Sequence, residues 1–184
     1  MEDMKSYLRE KYILAVDDEP DILDSIEDIL DEAKVDRAGD YETASLKIKT
    51  NAYDLAVLDI MGVNGLQLLE EATERNIPAV MLTAHAVSPE NLMESVRKGA
   101  ISYLPKEALV DLDELLDELL TAHEQGKPPW KLLFEKLGDY FDDRFGPDWK
   151  EKDKAFWSEF SRTYQVSKGI QKRLMQDDKI RSMV

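Results

Sequence analysis

Four short apolar runs end on polar residues: Asp17 and Asp18 follow YILAV, Asp59 follows LAVL, Thr83 follows AVML, and Lys106 follows ISYLP. Carboxylates converging from neighbouring strands repel one another unless a cation lies between them. An oxygen-rich site of this kind suits Mg²⁺, which takes a couple of carboxylates and keeps several waters. A hydroxyl and an ammonium beside that cation are what the equatorial oxygens of a transferring phosphoryl group need. Plainer readings exist for each residue alone. Asp17, Asp18 and Asp21 could serve only to complement a helix N-terminus. A single strand-end Lys is more often half of a structural ion pair, and a single Thr is usually a cap. Their joint occurrence at successive strand ends favours a metal site with an anion site beside it.

The elements that must position these residues alternate along the chain. YILAV is a continuous apolar run, as expected of a strand buried on both faces of a parallel sheet. After Pro20, the residues Ile22, Leu23, Ile26, Ile29, Leu30 and Ala33 follow helical spacing. Residues 34–39 give a weak second strand, and Tyr41 to Thr50 a second helix. DLAVLD is a third strand, after which Gly65 opens a helix with Leu66, Leu68, Leu69 and Ala72 inward. PAVML is a fourth strand. Ser88 then suits an N-cap, Pro89 the first helical position and Gly99 the helix end. ISYL is the fifth strand, and Leu112, Leu115, Leu116, Leu119 and Leu120 form the stripe of the last helix in this series. Repeated βα units imply a parallel sheet with right-handed crossovers and helices on both faces. In such a sheet the carboxyl ends of the strands share one edge, where sites form.

Composition divides the chain near QGKPP. Residues 1–125 carry 11 Lys and Arg against 29 Asp and Glu, whereas residues 126–184 carry 13 against 10. All Trp and Phe lie in the second part: Trp130, Phe134, Phe141, Phe145, Trp149, Phe156, Trp157 and Phe160. A core domain over 1–125 and an aromatic-rich helical extension over 126–184 are expected. In the extension, Trp130, Leu133, Phe134, Leu137, Phe141 and Phe145 recur at helical spacing, and FGPDW breaks that helix. Trp149, Phe156, Phe160 and Tyr164 suggest a second helix, which residues 166–176 continue or follow with a third. The pair reads as an αα-hairpin.

Several classes are excluded or disfavoured. There is no cysteine, so no disulfide framework or Cys-ligated zinc site. His85 and His123 lack ligand spacing. MEDMKSYLREK has no apolar core, so no signal peptide is expected, and no run is long enough for a membrane span. A cytoplasmic protein is the plain reading. The net charge of −15 disfavours nucleic acid. In the tail, Lys168, Lys172, Arg173, Lys179 and Arg181 are interrupted by Asp177 and Asp178, which makes DNA binding a minor alternative.

Across roughly residues 10–124, the motifs ILAVDDEP, LAVLDIMGVNG, AVMLTAH and GAISYLPKE resemble the receiver domain of two-component response regulators. The resemblance implies a flavodoxin-like, doubly wound five-stranded parallel sheet of order 2-1-3-4-5, here with a C-terminal α-helical hairpin. It implies that Asp59 is the phosphoacceptor. Asp18 would hold Mg²⁺ directly and Asp17 mainly through water, with the Met61 carbonyl completing the protein ligands. Thr83 and Ala84 would contact the phosphoryl group, Lys106 would pair with it, and Tyr103 would be the aromatic switch that turns inward as Thr83 moves. The loop IMGVNG is shorter than the family's and lacks its usual proline. The order Pro105-Lys106-Glu107 replaces the family's Lys-Pro, so Lys106-Glu107 is expected to be trans.

The expected function is phosphoryl transfer from a sensor histidine kinase to Asp59, with output by contact with a homodimer mate or downstream protein. Such a chain is not an enzyme beyond its own phosphorylation and dephosphorylation. Two alternatives are an unphosphorylated receiver-like scaffold and a metal-dependent phosphohydrolase. The latter needs a general acid near Asp59 that Ile60, Met61 and Gly62 do not supply.

Overall fold

A computed structural model describes residues 7–84 and 87–163. His85, Tyr164, residues 166–176 and the basic residues of the tail lie outside the described residues. Strands β1 (Tyr12–Val16), β2 (Lys34–Ala38), β3 (Leu55–Leu58), β4 (Ala79–Thr83) and β5 (Ser102–Pro105) form one sheet of order β2-β1-β3-β4-β5. Every pairing is parallel, with Val16 opposite Leu58 and Thr83 opposite Pro105. The central strands β1, β3 and β4 are apolar up to the terminal Thr83 of β4 and, from Ile13 onward, buried on both faces, which is why they read as continuous runs rather than alternations.

Helices α1 (Pro20–Ile29) and α5 (Leu112–Glu124) pack together on one face. Helices α2 (Tyr41–Thr50), α3 (Gly65–Glu74) and α4 (Pro89–Arg97) pack in succession on the other. The N-cap Ser88 accepts from the Asn91 N–H at 3.1 Å, and Pro89 follows it at the first helical position. Asp40 caps α2 in the same way, accepting from the Thr43 N–H at 2.8 Å. The first helix is shorter than the apolar spacing suggests. It stops at Leu30, and Ala33 lies in the turn that feeds β2.

Past the Gly126 turn, α6 (Pro129–Phe145) and α7 (Lys154–Thr163) form the hairpin. Trp149 lies outside the second helix. It is buried in the connecting turn and donates from Nε1 to Asp142 at 2.9 Å. The aromatic stripe faces inward: Phe134 meets Trp157 and Phe160 edge-on at 6.0 and 5.9 Å, and Trp149 meets Trp157 at 5.0 Å. The hairpin also packs on the sheet. Helix α6 lies along β5, the edge strand, and against α5. No described helix is long and apolar enough to cross a membrane.

Candidate functional site

The backbone sets the two central acids before their side chains act. The Asp59 N–H donates to the Val16 carbonyl at 3.0 Å, and the Asp17 N–H to that of Ala38 at 3.2 Å. Both residues therefore leave the sheet in register at its carboxyl edge, and both are buried, at 4% and 1% exposure. From β5, Lys106 reaches across to place its ammonium 2.9 Å from Asp17, 3.2 Å from Asp59 and 3.2 Å from Glu19. Charge-assisted contacts of this kind tie the end of β5 to the ends of β1 and β3, strands with which it shares no ladder.

The electrostatics follow from burial. Desolvation raises the Asp17 carboxyl above the usual carboxylate range. The hydrogen bonds from Lys106 and the Glu19 N–H pull it back only in part. Burial lowers the Lys106 ammonium, but its hydrogen bond to Asp17, the charges of Asp59 and Asp17 and its hydrogen bond to Glu19 outweigh that, leaving it raised. One cation thus serves three carboxylates, and the site is short of positive charge.

Asp18 sits beside this group. The ligand oxygens of Asp17, Asp18 and Glu19 all lie within 4.8 Å of one another. The loop after Asp59 is packed tightly around these acids. A Cβ on Gly62, whose φ is 82°, would collide with the Asp18 carboxylate. The Gly65 N–H donates to the Ile60 carbonyl at 3.0 Å, closing a turn in which Asn64 takes a left-handed φ of 52°. The Asp59 Oδ1 accepts from the Ile60 N–H at 2.8 Å, which fixes the carboxylate's rotation. The Met61 side chain is exposed at 55%.

Thr83 ends β4 fully buried, and its Oγ1 has no hydrogen-bond partner among the described residues. A buried hydroxyl without a partner costs on the order of 1–3 kcal/mol, so this position is suited to gain an acceptor. Ala84 follows it, half-buried. Tyr103 is also fully buried, its hydroxyl hydrogen-bonded to the Ser88 backbone. The Lys106–Glu107 peptide is trans, and the chain passes directly from β5 into a 3₁₀ turn over Lys106–Asp111.

The structure thus brings together Asp17, Asp18, Asp59 and Lys106 at one edge, with Thr83 at the end of the next strand. It sets Tyr103 apart, beneath α6. Glu19 was not foreseen as a partner of Lys106. The available signal was its place in the DDEP run, one residue before a helix-opening proline.

The family description "Response regulator receiver domain" matches residues 13–120. The chain belongs to this family. The receiver is 33% identical over 100 residues to the two-component response regulator ARR18 of Arabidopsis thaliana, which covers 51% of this chain and 16% of that protein. It is 36% identical over 99 residues to the regulatory protein VanRB of Enterococcus faecalis, covering 51% of this chain and 44% of that one. The chain therefore spans less than half the length of these relatives. Among solved structures, a CheY-like receiver domain protein from Methanospirillum hungatei superposes with a TM-score of 0.58 at 33% identity. The match covers 63% of this chain and 98% of that one. The response regulator TrrA of Thermotoga maritima, solved in complex with Mg(2+)-BeF, matches with a TM-score of 0.52 at 32% identity over 59% of this chain and 98% of that one. Receiver domains are signalling domains that interact with histidine kinases, and this receiver carries the acidic pocket of its family.

Proposed function

We propose that this receiver, over residues 1–125, takes a phosphoryl group onto Asp59 from the phosphohistidine of a sensor kinase or from a small acyl phosphate, with Mg²⁺ bound. The observation that carries this reading is the Lys106 ammonium within 3.2 Å of both Asp17 and Asp59, beside the buried, unpartnered hydroxyl of Thr83. Asp17, Asp18, Asp59 and the Met61 carbonyl would hold the cation. The donor set is all oxygen, and the carboxylates are short of positive charge, as a hard divalent ion requires. When bound, the ion neutralises charge on the transferring group and on the acids around it.

The chain's own residues do the rest. A carboxylate oxygen of Asp59 attacks phosphorus, the bond from phosphorus to the donor's nitrogen or oxygen breaks, and the donor leaves with that electron pair. Lys106 is already at Asp59 and exchanges part of its carboxylate contact for the new phosphoryl oxygens. Thr83 gains the acceptor it lacks, and the Ala84 backbone lies beside it. Tyr103, the proposed aromatic switch, lies two residues before Pro105, the partner of Thr83 across the ladder. It is already buried, so its response would be a shift within the core rather than a turn inward from solvent. Output then runs through protein contact, with a downstream protein or a second copy of the chain.

Intact-mass measurement after incubation with acetyl phosphate and Mg²⁺ tests this reading. The expected result is a single phosphoryl adduct, absent from Asp59→Asn and from a chelated sample. An unmodified wild-type mass at all times would overturn it in favour of an unphosphorylated scaffold.

A further inference from the structure

Glu19 occupies the N-cap position of α1, yet its side chain makes no cap hydrogen bond. Its backbone is extended, with φ −93° and ψ 109°, as the following Pro20 requires. The Glu19 N–H donates to Asp17 Oδ1 at 2.9 Å, while its carboxylate accepts from the Lys106 ammonium at 3.2 Å. Lys106 also contacts Asp17 Oδ2 at 2.9 Å, so Asp17, Glu19 and Lys106 close a ring at the mouth of the site. Within it the Glu19 side chain is half exposed, whereas those of Lys106, Asp17 and Asp59 are almost wholly buried. An ammonium has three N–H groups, and three carboxylates surround this one. Both Asp59 oxygens are engaged as well, Oδ2 by Lys106 at 3.2 Å and Oδ1 by the Ile60 N–H at 2.8 Å.

We propose that Glu19 is a positioning residue for phosphorylation of Asp59, holding the Lys106 ammonium at the mouth of the site so that Asp59 Oδ2 is free to attack. The inference rests on Asp59 being the phosphoacceptor. A charge-assisted hydrogen bond occupies the Oδ2 lone pair, so Lys106 has to draw back as the bond from Oδ2 to phosphorus forms and the donor leaves with its electron pair. Asp17 is a poor place to draw back to, because it belongs to the set proposed to hold the cation. Glu19 lies outside that set. Its half-exposed carboxylate keeps its contact with water, so holding the ammonium there carries little desolvation cost. From that position the remaining N–H groups of Lys106 face the phosphoryl oxygens, where negative charge develops. Reach is what the role demands. Glu19→Asp keeps the charge but loses one methylene, and it supplies a preferred N-cap side chain to α1.

The test uses the full chain. Rates of adduct formation with acetyl phosphate, at Mg²⁺ that saturates the wild type, are read by intact mass, and urea midpoints are read without metal. Glu19→Asp is expected to keep or raise the midpoint and yet to react on the order of tenfold more slowly, less than the roughly hundredfold cost of losing a stabilising donor outright. Glu19→Gln keeps the reach and still accepts a hydrogen bond from Lys106, so its rate is expected to fall between the two. A merely structural role makes the rates follow the midpoints, and a role for surface charge alone makes Glu19→Asp faster than Glu19→Gln. Either result overturns the proposal. So does a Glu19→Asp rate that returns to the wild-type value at higher Mg²⁺, which would make Glu19 a metal ligand. Equal rates in all three proteins overturn the role of Glu19 alone. Absence of any adduct on the wild type overturns the phosphoacceptor reading, and the role of Glu19 falls with it.

Discussion

A Cβ placed on Gly65 would fall on the carbonyl oxygen of Asp59. The first turn of α3 is thus pressed against the backbone of the site, and the side chain is omitted for space. Two effects oppose each other in Gly65→Ala. Helix propensity favours Ala by about 1 kcal/mol. Overlap with a backbone atom that cannot swing away costs about 1–3 kcal/mol or more. The overlap wins, so Gly65→Ala is expected to lower the urea midpoint at unchanged m and to slow phosphorylation of Asp59. A midpoint equal to or above wild type would show that the loop has slack.

Lys106 is the cation that the buried carboxylates share, and its side chain is 9% exposed. Removing one member of a buried charge group leaves the others uncompensated, typically a loss of about 3–5 kcal/mol. Lys106→Met is expected to show a loss of that order near pH 7. The loss should shrink in acid, and the sign follows from Asp17. Its folded pKa is raised, so its stabilising contribution is present below the unfolded value and fades as pH rises through the folded one. Lys106 limits that fading, and without it the folded value rises further. Denaturation of both proteins at neutral and mildly acidic pH measures the gap; a gap that widens in acid contradicts this account.

The strand ends were legible because the pleat and the buried parallel sheet leave few places for Asp17, Asp59 and Thr83 to go. The cap at Ser88 was legible for a similarly local reason. What the chain did not disclose depends on tertiary contact. Ala33 keeps helical spacing yet lies in a turn, because the chain must reverse to start β2 opposite Tyr12. Trp149 carries the stripe's spacing only by coincidence, as its indole is held by Asp142 outside any helix. Glu19 joins Lys106 from a position that local pattern assigns to a helix start. The apolar face of α6 was plain, but an amphipathic period says that a face is buried and not which surface buries it. That it covers β5 emerges only from the packing of Phe141 on Tyr103.

A second pH effect is expected far from the site. Burial raises the Asp36 carboxyl, but Lys47 at 2.6 Å and the Tyr53 hydroxyl at 2.5 Å outweigh it and leave the group below its ordinary value. A depressed carboxyl contributes stability above its unfolded pKa and loses it as pH falls through the folded one. Lys47→Met removes the main partner, so it should cost on the order of 1 kcal/mol at pH 7 and little in strong acid. Thermal unfolding across that range reads the difference. A penalty independent of pH would point to lost packing of the Lys47 stem instead.

Mg²⁺ should stabilise the fold without any phosphodonor. A ligand that binds only the native state adds about 2.7 kcal/mol at a concentration one hundred times its dissociation constant. If the buried Asp17 and neighbouring Asp18 hold the cation as proposed, its binding is favoured because Lys106 alone does not neutralise them. The melting temperature is therefore expected to rise with Mg²⁺ and to saturate. Asp18→Asn should weaken the response while leaving the metal-free protein nearly as stable, since Asp18 is exposed and its loss relieves repulsion. Asp17→Asn is expected to differ: it loses the Mg²⁺ response and also an ion pair with Lys106. An identical response in all three proteins would place the cation elsewhere on this acidic surface.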